Sequence, residues 1–305
     1  MSNQLKKYLF QDNTVRVQAV RLTDAWQDGL VHQHYPDCVQ QLLGELVSAA
    51  VLLASNIKFD GSLVLQLQGD GPVALIVVEC NVNRDIRATA TLREGVDVPA
   101  DGSLQTLLNA NGNGRFIVVL DPNRETTDMQ PYQGIVPLEG DSVAQVLEGY
   151  MRSSEQLDTR LWLTADARCS AGLLLQRLPG HGGKITATVQ EETWQRAVIL
   201  AETLKTQELL DLSSDEVVQR LFWEETLLAF EPQNVRWHCP CTRERVGNML
   251  RMLGAVEIES ILSESDEVEV SCNFCGKPYH FDAIDCASLF TENRDSGHAN
   301  PTSLH

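Results

Sequence analysis

The sequence predicts an α+β protein in three parts. These are a domain on a mostly antiparallel sheet over residues 1–178, a helical linker over 179–235, and a small four-cysteine zinc domain over 236–290. Three observations carry this reading. Period-two alternation marks the first part, most plainly where Leu63, Leu65 and Leu67 face away from Val64, Gln66 and Gln68. Between residues 189 and 228 leucine and charge recur at helical spacing instead. Beyond that, Cys239-x-Cys241 and Cys272-x-x-Cys275 form two short thiol pairs separated by thirty residues.

Composition narrows the function classes. A chain of 305 residues with 43% apolar content can build more than one core. A formal charge of −18 makes a poor match for phosphate backbones, so nucleic-acid binding is disfavoured. The start of the chain carries no secretory pattern, and the longest near-apolar run, Leu46 to Ser55, is about half a membrane span. A cytoplasmic, membrane-free protein is therefore expected, with its eight cysteines reduced by default.

Taken in order, residues 5–22 alternate as a strand with one face buried, and Thr23-Asp24 starts a short helix. Pro36 opens a helix over 37–56, with Val39, Leu42, Leu43, Leu46, Val47, Ala50 and Val51 at helical spacing. Its Gly44, Ala49, Ala50 and Ala54 allow close packing on a sheet. Residues 62–68 and 73–80 form a hairpin across Gly69-Asp70-Gly71-Pro72. Further strands are expected near 86–92, 115–120, 132–136, 160–164 and 173–178. Asp141-Ser142 caps a helix through Tyr150. Cys38, Cys80 and Cys169 read as buried core residues. No catalytic constellation stands out. Pro179-Gly180-His181-Gly182-Gly183 is a hinge, and the linker helices after it are short and charged enough to depend on docking. A helix over 242–253 and a hairpin of 268–270 with 279–281 frame the cysteines, and the tail 291–305 reads as disordered.

Four thiols in two close pairs suit the tetrahedral, thiolate-rich coordination of Zn²⁺, one per chain. Gly276 supplies the left-handed backbone that a metal knuckle needs. The one-residue gap between Cys239 and Cys241 is unusual for such a site. Two plainer readings stay open: a zinc that only staples the domain, and a redox pair at Cys272-x-x-Cys275. His238, His280 and Cys286 lie near enough in sequence to be ligands and read as bystanders.

These residues, together with several motifs, carry a resemblance to a known family, the redox-regulated bacterial chaperone called heat shock protein thirty-three. The motifs are Leu42-Leu43-Gly44-Glu45-Leu46, Phe59-Asp60-Gly61-Ser62-Leu63, Gln66-Leu67-Gln68-Gly69-Asp70-Gly71-Pro72 and Tyr132-Gln133-Gly134-Ile135-Val136-Pro137-Leu138. Ser154-Glu155-Gln156-Leu157, and Leu221-Phe222 with Glu224-Glu225, extend it. Cys239-x-Cys241-x-Arg243-Glu244-Arg245-Val246 and Cys272-x-Phe274-Cys275 are the most specific part. The resemblance covers about residues 5–290.

It implies an ATP-independent holdase rather than an enzyme. Its zinc would sit on Cys239, Cys241, Cys272 and Cys275 in the reduced, inactive form. Oxidation would form the disulfides Cys239–Cys241 and Cys272–Cys275, release zinc and unfold a metastable linker. The first domain would bind clients and dimerise on oxidation, with ATP-driven refolding chaperones downstream. Leu221, Phe222 and Trp223 are the candidate client contacts. The alternative is a zinc-stapled protein without redox switching, nucleic-acid-binding through Arg243, Arg245 and Arg251 or otherwise.

Overall fold

The computed structural model describes residues 3–56, 60–123, 129–179 and 186–291. The hinge from Gly180 and the tail beyond Thr291 lie outside them. Two compact units emerge, Met1–His238 and Cys239–His305.

In the first unit, β1 (Gln4–Phe10) and β2 (Val15–Leu22) form a hairpin, followed by α1 (Asp24–Leu30) and α2 (Asp37–Ala54). Next come β3 (Gly61–Gln68), β4 (Val73–Asn81), β5 (Asp85–Leu92), α3 (Leu104–Leu108), β6 (Arg115–Pro122) and β7 (Tyr132–Pro137). The chain continues through α4 (Val143–Ser153), β8 (Thr159–Ala165) and β9 (Ser170–Arg177). Then α5 (Ala187–Ala201), α6 (Thr206–Asp211) and α7 (Ser214–Leu221) precede three very short strands, β10 (Leu227–Ala229), β11 (Gln233–Asn234) and β12 (Arg236–Trp237).

Two sheets result. The first runs β10-β1-β2-β9-β8, with β11 also on β1; the second runs β12-β5-β4-β3-β6-β7. Every pairing is antiparallel except β12 on β5. The expected helix from Pro36 is α2, and it forms the centre of the unit. Its side chains share one core with Leu5, Val20 and Leu174 of the first sheet and Leu65, Ile76 and Phe116 of the second. Thirteen of its eighteen residues are buried. By length and composition alone it could cross a membrane, but here it is the inside of the protein. Gly44 is required: a Cβ there would stand 2.3 Å from the Ala165 Cβ. The Ser170 hydroxyl donates to the Gly44 carbonyl at 2.7 Å and shares a 2.5 Å hydrogen bond with Ser48, fixing helix to strand.

The first sheet is buried on both faces, where the sequence suggested one. Val20 and Leu22 of β2 face α2, while Val15, Val17 and Ala19 join a second core with Leu173 and Leu175. The covering layer of that second core is α5–α7, through Ala197, Ala201, Leu210, Val217, Val218, Leu221 and Phe222. Polar contacts rim it: Arg177 with Glu191 at 2.7 Å, Tyr8 donating to Asp215 at 2.6 Å, and Arg21 donating to the Leu210 carbonyl at 2.8 Å. Ser213 caps α7, its hydroxyl accepting from the Glu216 N–H while the Glu216 carboxylate accepts from the Ser213 N–H. After α7, β12 straps the chain onto β5, and the Trp237 ring sits so close over Gly29 that a Cβ there would meet it at 2.7 Å.

The second unit contains α8 (Arg243–Leu253), α9 (Ala255–Glu264), β13 (Glu267–Ser271), β14 (Pro278–Asp282) and α10 (Ala283–Thr291). Its core is small: Leu250, Ile258, Val268, Tyr279, Phe281 and Cys286 form its buried apolar cluster among the described residues.

Candidate metal centre

Two turns bring the thiols together. Cys239 and Cys241 lie on the stretch leading into α8, whose N-terminus is held by Thr242 accepting from the Arg245 N–H at 3.2 Å. The Arg245 guanidinium donates to the Pro240 carbonyl at 3.0 Å and so fixes the residue between the two cysteines. Cys272 follows β13, and the chain curls back through Cys275. The Gly276 N–H donates to the Cys272 carbonyl at 2.8 Å, and the Cys272 N–H to the Lys277 carbonyl at 3.0 Å. Gly276 has φ +68°, the left-handed conformation its place in the motif suggested.

All four sulfurs lie within 4.8 Å of one another. Two separations are Cys239–Cys272 at 3.7 Å and Cys241–Cys275 at 3.4 Å. A tetrahedron with Zn–S bonds of about 2.3 Å has sulfur–sulfur edges of roughly 3.8 Å. The donor set fits a soft or borderline divalent cation. Among the described residues, the group contains none of the sequence neighbours. His280 is exposed and pairs with Glu267 at 3.0 Å. Cys286 is buried in α10, its thiol directed at the Phe281 carbonyl. His238 belongs to the first unit.

Charge explains what the cluster needs. Burial pushes the Cys239 thiol well up and the Cys275 thiol to about 11. Burial also opposes ionisation of Cys241, but the adjoining Tyr279 hydroxyl and the thiols of Cys275 and Cys239 outweigh it and bring that group down. The Tyr279 hydroxyl has no conventional acceptor and lies against that sulfur. Four thiolates in so small a volume require a compensating positive charge. Away from the cluster, burial raises Cys80 to about 12 and also raises Cys169, whereas Cys38, expected in the core, is only half-buried.

The arginines beside the site are engaged inside the unit. Arg243 donates to the His280 carbonyl and to Asp285, both at 2.5 Å, and lies 4.2 Å over the Phe281 ring. Arg251 donates to the Leu289 carbonyl at 2.8 Å. Of the candidate client contacts, Leu221 and Phe222 are buried, with Phe222 edge-on to Phe10 at 5.6 Å. Trp223 is 75% exposed. Sequence reasoning missed the role of Tyr279 in the electrostatics; the hairpin that places it opposite Val270 was expected, but its contact with Cys241 was not.

Comparison with known proteins agrees with this arrangement. The family model described as Hsp33 protein matches residues 3–282. The 33 kDa chaperonin of Methylobacillus flagellatus is 43% identical, over 95% of each chain. That of Chromobacterium violaceum is 45% identical, over 94% of each. A crystal structure of the 33 kDa chaperonin from Thermotoga maritima, described as a heat shock protein 33 homologue, has the same fold. Its TM-score is 0.75 at 21% identity, covering 95% of this chain and 99% of that one. With the fold, the four-thiol cluster and near full-length similarity in agreement, this chain belongs to the Hsp33 chaperone family.

Proposed function

We propose that this chain is an ATP-independent holdase, quiet while its four cysteines are reduced and metal-bound, and able to bind unfolding proteins once they are oxidised. The observation behind this reading is the gathering of four thiols in a unit with a six-residue apolar core. A zinc ion bound there would keep all four sulfurs as thiolates and tie the two turns together. The residues that hold it are Cys239, Cys241, Cys272 and Cys275.

Oxidation pairs Cys239 with Cys241 and Cys272 with Cys275. In each step two thiolates give up two electrons, solvent supplies two protons, and one S–S bond forms. Hydrogen peroxide accepts them, its O–O bond breaks, and two waters leave. Proximity does not select this pairing, since Cys241 and Cys275 are near neighbours across the turns. The pairing is the one the resemblance implies, and its consequence differs from that of the alternative. Disulfides across the turns would staple the unit much as a metal does, whereas disulfides within each turn leave the turns unlinked. Disulfide sulfurs are also poor ligands, so the ligand set is lost and the unit loses its main support.

The linker is the responding part. Short helices α5–α7 hold to the first sheet through one apolar face and a rim of polar contacts. Trp237, at the end of the strap, precedes Cys239 by two residues. If the second unit opens, a shift of a few kcal/mol suffices to release such a layer. Leu221 and Phe222 then come out, beside an already exposed Trp223, to meet apolar client segments. The chaperone naming of the relatives supports client binding. The finer parts of the reading rest on the resemblance: a homodimer when oxidised, cytoplasmic action, and transfer of clients to ATP-driven refolding chaperones.

The test is zinc release followed alongside suppression of aggregation of a thermally unfolding protein during peroxide treatment. Both should rise together, and peptide mapping should recover the two within-turn disulfides. Equal suppression before and after oxidation would favour a zinc-stapled protein without a switch.

A further inference from the structure

A cavity of about 450 Å³ lies between the two sheets at the C-terminal end of α2. Its walls are mostly aliphatic, from Leu53, Leu63, Val118, Leu120, Met151 and Leu157. That size and lining are typical of small-molecule sites. The polar lining falls into two groups. One is Tyr150, whose hydroxyl donates to Glu155 at 3.0 Å. The other is Arg16 with Asn56 and Gln176.

Arg16 stands on the inner face of the first sheet, in the row Leu9, Arg16, Gln176 and Thr159 that crosses β1, β2, β9 and β8. Its Nη1 donates to Asn56 Oδ1 at 2.6 Å and to Gln176 Oε1 at 3.2 Å. Both acceptors are neutral amides, and no carboxylate of the described residues lies within ion-pairing distance. Its Nε and Nη2 groups hold no acceptor among the described residues. The neighbouring charge makes matters worse: Lys7, which donates to the Ser55 carbonyl at 2.7 Å, is held down to about 8 by burial and then by Arg16 and Arg84. In a chain of net charge −18, a half-buried guanidinium without a counter-ion is out of place. Such a group is unfavourable unless an anion completes it.

The geometry points to a binding site for an aliphatic monocarboxylate of medium chain length, its carboxylate on Arg16 and its tail among Leu53, Leu120 and Met151. The guanidinium fork matches a carboxylate. Glu155, the one acid in the lining, disfavours a second anionic end and so argues against dicarboxylates. The site does not involve the thiols, so it stands or falls independently of the redox reading.

Calorimetry on the full-length, reduced, metal-loaded protein tests it with decanoate and decanamide, which differ in charge at one end. One decanoate should bind per chain, roughly tenfold or more tighter than decanamide. Arg16→Gln should bring the two ligands within about twofold of each other by removing the charge. Leu120→Trp, which fills the cavity, should abolish binding of both. Absence of saturable decanoate binding, or equal affinity for decanamide in the unaltered protein, overturns the proposal. So does competition by an apolar peptide with an amidated C-terminus as strong as that of decanoate, which would assign the cavity to polypeptide. If Arg16→Gln does not fold, Leu120→Trp decides alone: decanoate binding that survives it places the ligand elsewhere.

Discussion

The two units are held together in different ways. In the first, α2 lies between two six-stranded sheets and buries thirteen of eighteen residues, so its stability comes from apolar contact built into the chain. In the second, six buried apolar side chains surround nothing larger than a two-stranded hairpin, and four thiols converge beside them. One unit carries its own cohesion; the other has little apolar core and a group of four thiols placed to hold a metal ion. On the function proposed above, a difference of this kind would let one part of the chain report on oxidants while the rest stays folded.

Chelating the metal from the reduced protein should have the largest effect. Structural zinc contributes on the order of 10–16 kcal/mol in small finger peptides, comparable to the whole stability of a domain. Amide dispersion in NMR spectra should collapse over residues 239–291 and persist over β1–β9. Collapse of both sets together would erase the contrast between the units.

The mirror-image experiment is Leu46→Ala, at a fully buried position of α2. It should lower the first unit's unfolding free energy by roughly 2–5 kcal/mol and leave zinc affinity unchanged. Denaturant titration with a parallel metal-competition assay reads both quantities, and a matching fall in zinc affinity would show that the units are not independent.

Glu45 sharpens the comparison from inside the core. Burial raises its carboxyl from the ordinary 4.5 to about 7, although Gln41 donates to it at 2.9 Å and partly offsets the rise. Between those values the folded state binds more protons than the unfolded state, so this group's contribution falls as pH rises from 4.5 to 7 and is flat above. Glu45→Gln removes that slope. Relative to the parent, the variant should gain on the order of 2–3 kcal/mol by pH 8 and little at pH 4. Thermal melts across that range measure the difference, and parallel curves for the two proteins would contradict it.

The smallest expected effect lies in the covering layer. Ser213→Ala removes the cap of α7 and should cost about 1 kcal/mol. Local hydrogen-exchange protection in α7 should fall about fivefold, and activation by peroxide should quicken at an unchanged rate of zinc release. If protection drops and activation does not change, α7 is not part of the response.

Much of this was legible in the sequence, and the exceptions share causes. The helix from Pro36, the hairpin about Gly69-Asp70-Gly71-Pro72 and the Cys272 knuckle each combine a clear period with a turn signal, and each formed. The cap at Ser142 also formed, with α4 running on to Ser153. The two-sided burial of β2 was not readable. Arg16 and Gln18 look like a solvent face, yet both lie on the inner side of the sheet and bond to Asn56. Helices α3, α9 and α10 were missed because they are short or lack a strong period. Strands β10, β11 and β12 are two or three residues long, so tertiary pairing alone defines them. The four thiols could be named from spacing; the pressure of Tyr279 on Cys241 could not, because it arises only when β14 folds against the turn.

The strap at Arg236–Trp237 has a consequence for solubility. By pairing with Asp85 and Ile86, β12 covers part of the outer edge of the second sheet, and the His238 N–H adds a bond to the Ile86 carbonyl at 2.9 Å. Uncovered strand edges are templates on which other chains assemble. The cover is two residues long, anchored by Trp237 over Gly29, and it sits immediately before the first cysteine of the cluster. Whatever frees Trp237 also bares β5 as a polymerisation surface, so a protein that shields others from aggregation would meet the same hazard in itself whenever its strap is loose.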